Sequence, residues 1–155
     1  MPFKSITKAQ HEAFLLSVRS GQYNLLLGAG TSLDTSNPIG PIPSGTELRH
    51  NLCDFKKVSR NYTLQRAFGL LTPSEIDEQV THRLIHCKPG KTSTALSGFL
   101  WKRIFTWNID DVLENTYKAQ TVRQEVKSIH YNDEFVEFQT LAELMIVHMQ
   151  CSASL

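Results

Sequence analysis

The sequence predicts a single α/β domain of Rossmann-like type, in which a mostly parallel sheet carries helices on both faces. Three short apolar runs, at residues 23–27, 103–107 and 144–147, have the length and flanks of buried strands. Because the runs are largely apolar and do not alternate, they are typical of strands covered on both sides. Helical patterns separate them, and strands that alternate with helices form parallel sheets.

The segment before the first strand is predicted to be a helix. Thr7 and Gln10 form a capping-box pattern at its start, and Gly21 is placed to end it. After the strand, residues 31–45 have few periodic apolar positions and several Pro and Gly residues. They predict a loop of about 15 residues, and loops of that length are usually functional or mobile.

A helical insertion is predicted over approximately residues 45–100. Ser44 or Thr46 is placed to cap its first helix, and a second helical pattern surrounds residues 64–71. A third helix has the clearest start signal in the chain, a capping box with proline at the first helical position in Thr72-Pro73-Ser74-Glu75.

Apolar residues then recur every four positions, which predicts that the third helix continues to a stop at residues 88–90. A short helix is predicted at residues 93–99. After the second strand, Asn108 is predicted to cap a helix that runs through Tyr117. Only partial alternation follows, over residues 122–129 and 134–138, before the third strand.

Composition excludes several classes of function. The chain has 155 residues, 20% of them charged, and a net charge of +1, so nothing indicates binding to nucleic acid or to an anionic membrane. Its apolar runs are far shorter than the roughly 20 residues of a membrane span, and the N-terminus has no apolar stretch typical of a signal peptide. We therefore expect a cytoplasmic protein.

The metal-ligating residue types do not form a convincing site. Cys53, Cys87 and Cys151 are far apart and odd in number, which argues against a zinc ribbon or a disulfide framework and favours three reduced thiols. His82 and His86 have the spacing of one helix face, but no third ligand is evident. We expect a solvated histidine pair and no metal.

The first candidate functional motif follows the first strand directly. It consists of Gly28, Ala29, Gly30, Thr31 and Ser32. Glycines there allow a tight turn whose backbone N–H groups can approach a pyrophosphate. A dehydrogenase fingerprint would require a glycine or alanine where this chain has Leu33, and an acid after a second strand, whereas Asp54 lies in a helical pattern. A plain strand-ending turn is the structural alternative.

The second motif lies at the end of the second strand, in Thr106-Trp107-Asn108-Ile109-Asp110-Asp111. Ligands of open α/β sheets bind at the carboxyl edge of the strands, so polar side chains at this position are candidates for binding and catalysis. The alternative is helix capping by Asn108, with Asp110 and Asp111 favoured near the positive end of the helix.

Together with Gly40-Pro41-Ile42-Pro43-Ser44-Gly45, these motifs resemble the successive signatures of the sirtuin superfamily. The resemblance covers roughly residues 20–150. It is closest to the NAD-hydrolysing sirtuin-like domains of bacterial antiphage defence proteins, in which a small residue and glycine follow the loop proline and the strand-end motif continues into an acidic helix.

The resemblance implies binding of NAD+ as a substrate, with no zinc, and cleavage of its nicotinamide–ribose bond. Residues 28–32 would hold the pyrophosphate, Pro43 would close over the nicotinamide end, and Asp110 would contact the ribose or the carboxamide. Asn108 would orient the nicotinamide or the attacking water. Glycosidic cleavage passes through a cationic centre, which nearby carboxylate and carbonyl oxygens stabilise.

The family also uses a histidine at the end of a later strand, as a general base on a ribose hydroxyl or water. His148 is the candidate here, although a shift of two residues would put Gln150 in the histidine slot and Cys151 in place of the glycine that follows. Sirtuin-like domains continue with further strands for the adenosine end of NAD+, so we expect a partial domain that lacks its C-terminal part.

Three functions remain open at this point. The first is an NAD+ hydrolase that depletes NAD+ in antiphage defence, working as a homo-oligomer or with a partner defence subunit. The second is a non-catalytic sensor of NAD+ or ADP-ribose. The third is an NAD-dependent protein deacylase, which the missing zinc cysteines and the missing phenylalanine-arginine after Pro43 disfavour.

Overall fold

The computed structural model describes residues 6–119, 121, 124–135 and 140–149. Its main feature is a four-stranded parallel sheet with the spatial order β1-β4-β6-β5. These strands are β1 (Asn24–Leu27), β4 (Arg103–Thr106), β5 (Glu125–His130) and β6 (Glu143–His148), and a separate antiparallel ribbon consists of β2 (Ser36–Asn37) and β3 (Gly40–Pro41). The helices are α1 (Lys8–Arg19), α2 (Gly45–Phe55), α3 (Leu64–Phe68), α4 (Pro73–Ile76), α5 (His82–Leu84), α6 (Lys91–Ser97) and α7 (Val112–Ala119). The predicted α/β fold, a mostly parallel sheet flanked by helices, is confirmed.

The three predicted strands are present, and β5 is the fourth strand, where the sequence showed only partial alternation. Strand β6 lies between β4 and β5, although β5 comes first along the chain. Leu27, Thr106 and His148 are register partners at the carboxyl ends of β1, β4 and β6. The segments that follow these three strands are therefore neighbours at one edge of the sheet, which is where ligands of such sheets bind.

Three predicted helix starts are correct, and of the two candidate caps for α2 the structure selects Ser44 over Thr46. Thr7, Ser44 and Thr72 each accept a hydrogen bond from a backbone N–H three residues on, and each belongs to a full capping box. Gly21, with φ of 72°, ends the first helix as expected. A capping box thus fixes the start of a helix with two residues that are three positions apart. Its side chains accept from N–H groups that have no partner inside the helix.

The helix predicted to run from Thr72 to residues 88–90 is different in the structure. A π-helical turn, Asp77–Thr81, follows α4, and the helical segment ends with α5 at Leu84. His86 then has a left-handed φ of 59°, and the Asp111 carboxylate accepts hydrogen bonds from the N–H groups of His86 (2.7 Å) and Cys87 (3.0 Å). The prediction that His82 and His86 share a helix face is therefore wrong, because His86 lies outside the helix.

The segment 31–45, predicted to be a long loop, contains the short ribbon of β2 and β3 between a 3-10 helix, Ala29–Ser32, and α2. Asn37 organises it: its carboxamide oxygen accepts from Ile39 N–H and Gly40 N–H, and its Nδ2 donates to the carbonyls of His82 and Ile85. The ribbon strands have two residues each, too few to produce a periodic pattern in the sequence. This ribbon carries Pro43 toward the edge of the sheet.

The apolar core has two main parts that share α7. One part belongs to the helical insertion and contains Leu48, Leu52, Cys53, Ala67, Val80, Leu84, Cys87 and Val112. The other covers the sheet and contains Val18, Leu27, Trp101, Ile104, Leu113, Tyr117, Leu144 and Ile146. Since Val112 packs into the first part and Leu113 into the second, the first turn of α7 is fixed from two sides.

The remaining predictions concern cysteines and membrane spans. Cys53 and Cys87 are free and buried, as expected, whereas Cys151 lies outside the described residues. Among the helices that the structure describes, none is long and apolar enough to cross a membrane.

Candidate active site

The glycine turn after β1 is a 3-10 helix, Ala29–Ser32, at the carboxyl edge of the sheet. The N–H and the hydroxyl of Thr31 both donate to the carbonyl of Gly28 at 3.0 Å, so Thr31 closes the turn. Gly28, Ala29 and Gly30 are exposed, whereas Ser32 is buried. The turn therefore presents its glycine end to solvent and its serine end to the interior.

Neither Gly28 nor Gly30 is required by the packing of the turn. A Cβ added at either position would have no atom within 4 Å outside its chain neighbours. Gly28 has φ of −128° and ψ of −177°, an extended conformation that any residue adopts. The space over these two residues is open, as a backbone cradle for a ligand needs to be.

Asn108 does not cap the helix that follows β4, contrary to the sequence-based prediction. That helix, α7, begins at Val112, whose N–H donates to Oδ1 of Asp110 at 3.2 Å. The helix thus begins three residues later than a cap at Asn108 would place it, and Asn108 lies against the turn after β1. Its Nδ2 donates to Ser32 Oγ at 2.9 Å, which joins the two predicted motifs directly.

The backbone of Asn108 is held at both ends. Its N–H donates to Thr106 Oγ1 at 3.0 Å, and its carbonyl oxygen lies 3.3 Å from Nδ1 of His148. The side chain is only 6% exposed, and its Oδ1 is buried with no hydrogen-bond partner among the described residues. A buried acceptor without a partner is unusual in proteins and destabilises the fold by about 1–3 kcal/mol.

The direction of the hydrogen bonds in this network identifies Oδ1 as the free atom. The Ser32 hydroxyl also hydrogen-bonds the Asp110 carboxyl group and acts to lower its pKa, and its one proton is the donor to an ionised carboxylate, which can only accept. Ser32 Oγ therefore accepts from Asn108, so the atom of Asn108 that faces it is Nδ2. The network Asn108–Ser32–Asp110 leaves the carboxamide oxygen available for a ligand that donates a hydrogen bond.

The site is acidic. Burial raises the pKa of Asp110, which is 8% exposed, and the charges of Glu114 and Asp111 raise it further. Hydrogen bonds from Ser32 and from the N–H of Val112 act in the opposite direction. Several carboxyl groups thus lie close to one buried asparagine, an arrangement that stabilises positive charge nearby.

A cavity of about 280 Å³ adjoins this network. Of the residues predicted from sequence for the site, the structure brings Ala29, Ser32, Pro43, Asn108 and Asp110 together in its lining. The lining also includes residues that sequence reasoning did not single out, among them Leu33, Ile42, Leu48, Leu64, Leu84, Trp107 and Ile109. The cavity is therefore mostly apolar, with polar groups concentrated at Asn108 and Asp110, as in many small-molecule sites.

Gly28, Gly30, Thr31 and His148 are not part of that lining. The glycines and Thr31 belong to the adjoining turn. His148 lies behind Asn108, is 3% exposed, and has Nε2 at 2.8 Å from Oε1 of Glu114.

Glu114 is the residue that the sequence reasoning missed. Burial alone would lower the pKa of His148, but the hydrogen bond and the charge of Glu114 raise it. Burial likewise opposes ionisation of Glu114, whose pKa is lowered by hydrogen bonds from His148 and Ser128. The acidic motif at residues 110–114 was visible in the sequence, but the contact between Glu114 and His148 depends on the register of β6 against β4.

Among the residues that the structure describes, no group of three or more His, Cys, Asp or Glu side chains could hold a metal ion. In comparisons with known proteins, the chain matches no family model and no curated protein.

Proposed function

We propose that this chain is a sirtuin-like NAD+ hydrolase domain that cleaves the bond between nicotinamide and ribose. The observation that carries the proposal is Asn108. Its backbone is fixed at both ends, its Nδ2 is bound to Ser32, and its buried Oδ1 is unpartnered beside a cavity. Preorganised polar groups of this kind support catalysis because they need no rearrangement when charge develops.

The residues present fit NAD+. A nicotinamide carboxamide or a water molecule can donate to the free Oδ1 of Asn108, and the apolar walls suit a flat aromatic ring. The open turn at Gly28 and Gly30 leaves room for a pyrophosphate against backbone N–H groups. Pro43 lies in the cavity wall, next to the end that nicotinamide would occupy.

The charge of the site fits cleavage of a glycosidic bond. Departure of nicotinamide leaves positive charge on the ribose, and carboxylate and carbonyl oxygens stabilise such a centre. Asp110 supplies a carboxylate at the cavity, and Asn108 supplies a carbonyl oxygen that would orient the nicotinamide or the attacking water. Ser32 keeps these two side chains in one network.

A non-catalytic sensor of NAD+ or ADP-ribose is the second candidate, and His148 favours it. Both ring nitrogens of His148 are already engaged, by the Asn108 carbonyl and by Glu114, so neither is directed at the cavity. A site that binds NAD+ but has no free base would bind without turnover. Both candidates agree with a role in antiphage defence, as an assembly of identical chains or with a partner subunit.

The test combines binding and turnover on the purified protein. We expect calorimetry to detect NAD+ binding and chromatography to detect nicotinamide and ADP-ribose as products. Asn108→Ala should abolish the products, while Asn51→Ala, an exposed asparagine of α2, serves as the matched control and should leave them unchanged. Full activity in Asn108→Ala would refute the residue assignment.

Two other outcomes select between the candidates. Tight binding with no products, before and after the assembly state is varied by protein concentration, would favour the sensor. Nicotinamide release that requires an acylated lysine peptide would identify a deacylase instead.

A further inference from the structure

His148 and Glu114 form a buried side-chain pair directly behind Asn108. Nε2 of His148 lies 2.8 Å from Glu114 Oε1, and the two side chains are 4% and 17% exposed. The other ring nitrogen, Nδ1, lies 3.3 Å from the backbone carbonyl oxygen of Asn108. Ser128 also donates to Glu114 Oε1, at 2.6 Å.

Both partners of the His148 ring are hydrogen-bond acceptors. A backbone carbonyl can only accept, and an ionised carboxylate can only accept. A neutral imidazole has one N–H and one lone pair, so it would direct its lone pair at an oxygen on one side. With Glu114 ionised, as its lowered pKa favours, only the imidazolium satisfies both contacts, because both of its nitrogens donate.

The other groups that face His148 agree with this state. Asp110, in the segment after β4, adds negative charge, and Thr106 is its uncharged register partner in β4. On β5, the ring of His130 lies 5.7 Å from that of His148, centroid to centroid. Hydrogen bonding and charge raise the pKa of His148 against the opposing effect of burial.

We propose that Glu114 is a positioning residue, which holds His148 as a doubly protonated donor that fixes the backbone of Asn108. In this role His148 is not the general base of the reaction. The effect on turnover rests on the proposed NAD+ hydrolase function, whereas the effect on the protonation of His148 and on the mobility of Asn108 does not.

The first test is an NMR titration of the His148 ring. In the wild-type protein His148 should stay protonated above the pH at which histidine ordinarily titrates. Glu114→Gln keeps the shape of the side chain but removes its charge, and it should lower the protonation constant of His148 about tenfold or more. Ser128→Ala is the matched control, because it removes the other hydrogen bond to the same oxygen and leaves the charge.

The titration has clear outcomes that would overturn the proposal. A wild-type His148 that titrates at or below its ordinary pH refutes it, and this measurement needs no variant to fold. An equal effect of Ser128→Ala and Glu114→Gln would also refute it, because it would indicate altered packing and not charge.

The second test follows Asn108 itself. One of its Nδ2 protons is bound to Ser32, and it should exchange slowly with solvent in the wild-type protein and at least about tenfold faster in Glu114→Gln. Unchanged exchange would show that Asn108 does not depend, through His148, on the charge of Glu114.

The pH dependence of turnover distinguishes the two possible roles of His148, because they predict changes of turnover in opposite directions. A general base works when it is neutral, so turnover would rise as the pH increases through the titration of His148. A positioning cation predicts the opposite, a loss of turnover over the same interval, and a rise would refute the proposal. Failure of NAD+ cleavage at every pH, with the His148 titration and the Asn108 exchange as expected, would refute the proposed function and leave the positioning role supported.

Discussion

Replacing Gly28 by alanine tests whether the glycine turn serves a ligand or the fold. At this position the added methyl group meets no atom within 4 Å, and the backbone is extended, so the native structure accommodates it without strain. Alanine also restricts the unfolded chain, which stabilises a protein by about 0.4–1 kcal/mol when the native conformation tolerates it. We therefore expect Gly28→Ala to unfold at an equal or slightly higher temperature than the wild type.

Binding should respond in the opposite way. The methyl group occupies the open space over the turn, where a pyrophosphate would approach the backbone. Loss of one hydrogen bond to a charged group weakens binding by about 1.5–3 kcal/mol. This corresponds to a rise in the dissociation constant for NAD+ of about 10- to 100-fold.

Gly90→Ala is the control for a glycine that the fold does require. A Cβ at this position would collide with the Asp34 carboxylate and lie 2.8 Å from Thr35 Cγ2. Asp34 accepts from the N–H of Thr92 at 3.0 Å, so it is not free to move away. Overpacking of this kind destabilises by about 1–3 kcal/mol, which lowers the unfolding temperature without involving the candidate site.

Thermal unfolding followed by circular dichroism and calorimetric titration with NAD+ provide the two measurements. A loss of more than about 1 kcal/mol of stability in Gly28→Ala would show that the glycine has a conformational role. Binding of NAD+ by the variant as tight as that of the wild type would show that the turn does not hold the ligand.

Two further predictions concern stability. Asp111→Ala should lower the free energy of unfolding by about 2 kcal/mol, since it removes the acceptor of the His86 and Cys87 N–H groups. Asp111→Asn should lower it less, because one acceptor oxygen remains. Urea denaturation measures both variants, and equal effects would contradict the role of the Asp111 carboxylate as that acceptor. The pH dependence follows from the ion pair. The raised pKa of His148 contributes stability that is complete below its ordinary 6.5 and is lost as the pH rises through the raised value. The lowered pKa of Glu114 contributes stability that is present above 4.5 and is lost as the pH falls through the lowered value. The stability difference between wild type and Glu114→Gln should therefore be largest between about pH 4.5 and 6.5 and shrink on both sides; a constant difference would contradict the pairing.

Local signals accounted for much of the fold. The capping boxes at Thr7, Ser44 and Thr72 marked helix starts correctly because they act between residues three apart in the chain. Apolar runs also marked β1, β4 and β6, but the predicted burial on both faces holds only for β6: β1 is an edge strand in which Asn24 and Leu26 are exposed. The end of α5 was not predictable in this way, because its stop depends on the carboxylate of Asp111, some 25 residues further along the chain.

In the candidate site, too, local features were predictable from the sequence and contacts between distant residues were not. The sequence identified Ser32 and Asn108 separately, but capping preference favoured Asn108 as the helix cap. The choice between Asn108 and Asp110 depends on where the helix begins, and tertiary packing decides that through Val112 and Leu113. The contact between the two motifs is a consequence of β1 and β4 being neighbours, which no local pattern encodes.

Asn108→Ala offers a way to separate what the fold needs from what the site needs. The substitution removes the Nδ2 hydrogen bond to Ser32, worth about 1 kcal/mol. It also removes the buried, unpartnered Oδ1, whose desolvation destabilises the native state by about 1–3 kcal/mol. Because Ser32 keeps its hydrogen bond to Asp110 and the truncated side chain borders an existing cavity, the second effect should equal or exceed the first.

The variant should therefore unfold at an unchanged or higher temperature while it loses NAD+ cleavage. Such an outcome is expected of residues that selection keeps for activity and not for stability. Differential scanning calorimetry on the wild type and on Asn108→Ala, without NAD+, decides the matter. A loss of about 2 kcal/mol or more would show that the Asn108–Ser32 contact is a structural bridge between β1 and β4, and the free oxygen would then no longer be evidence for a ligand.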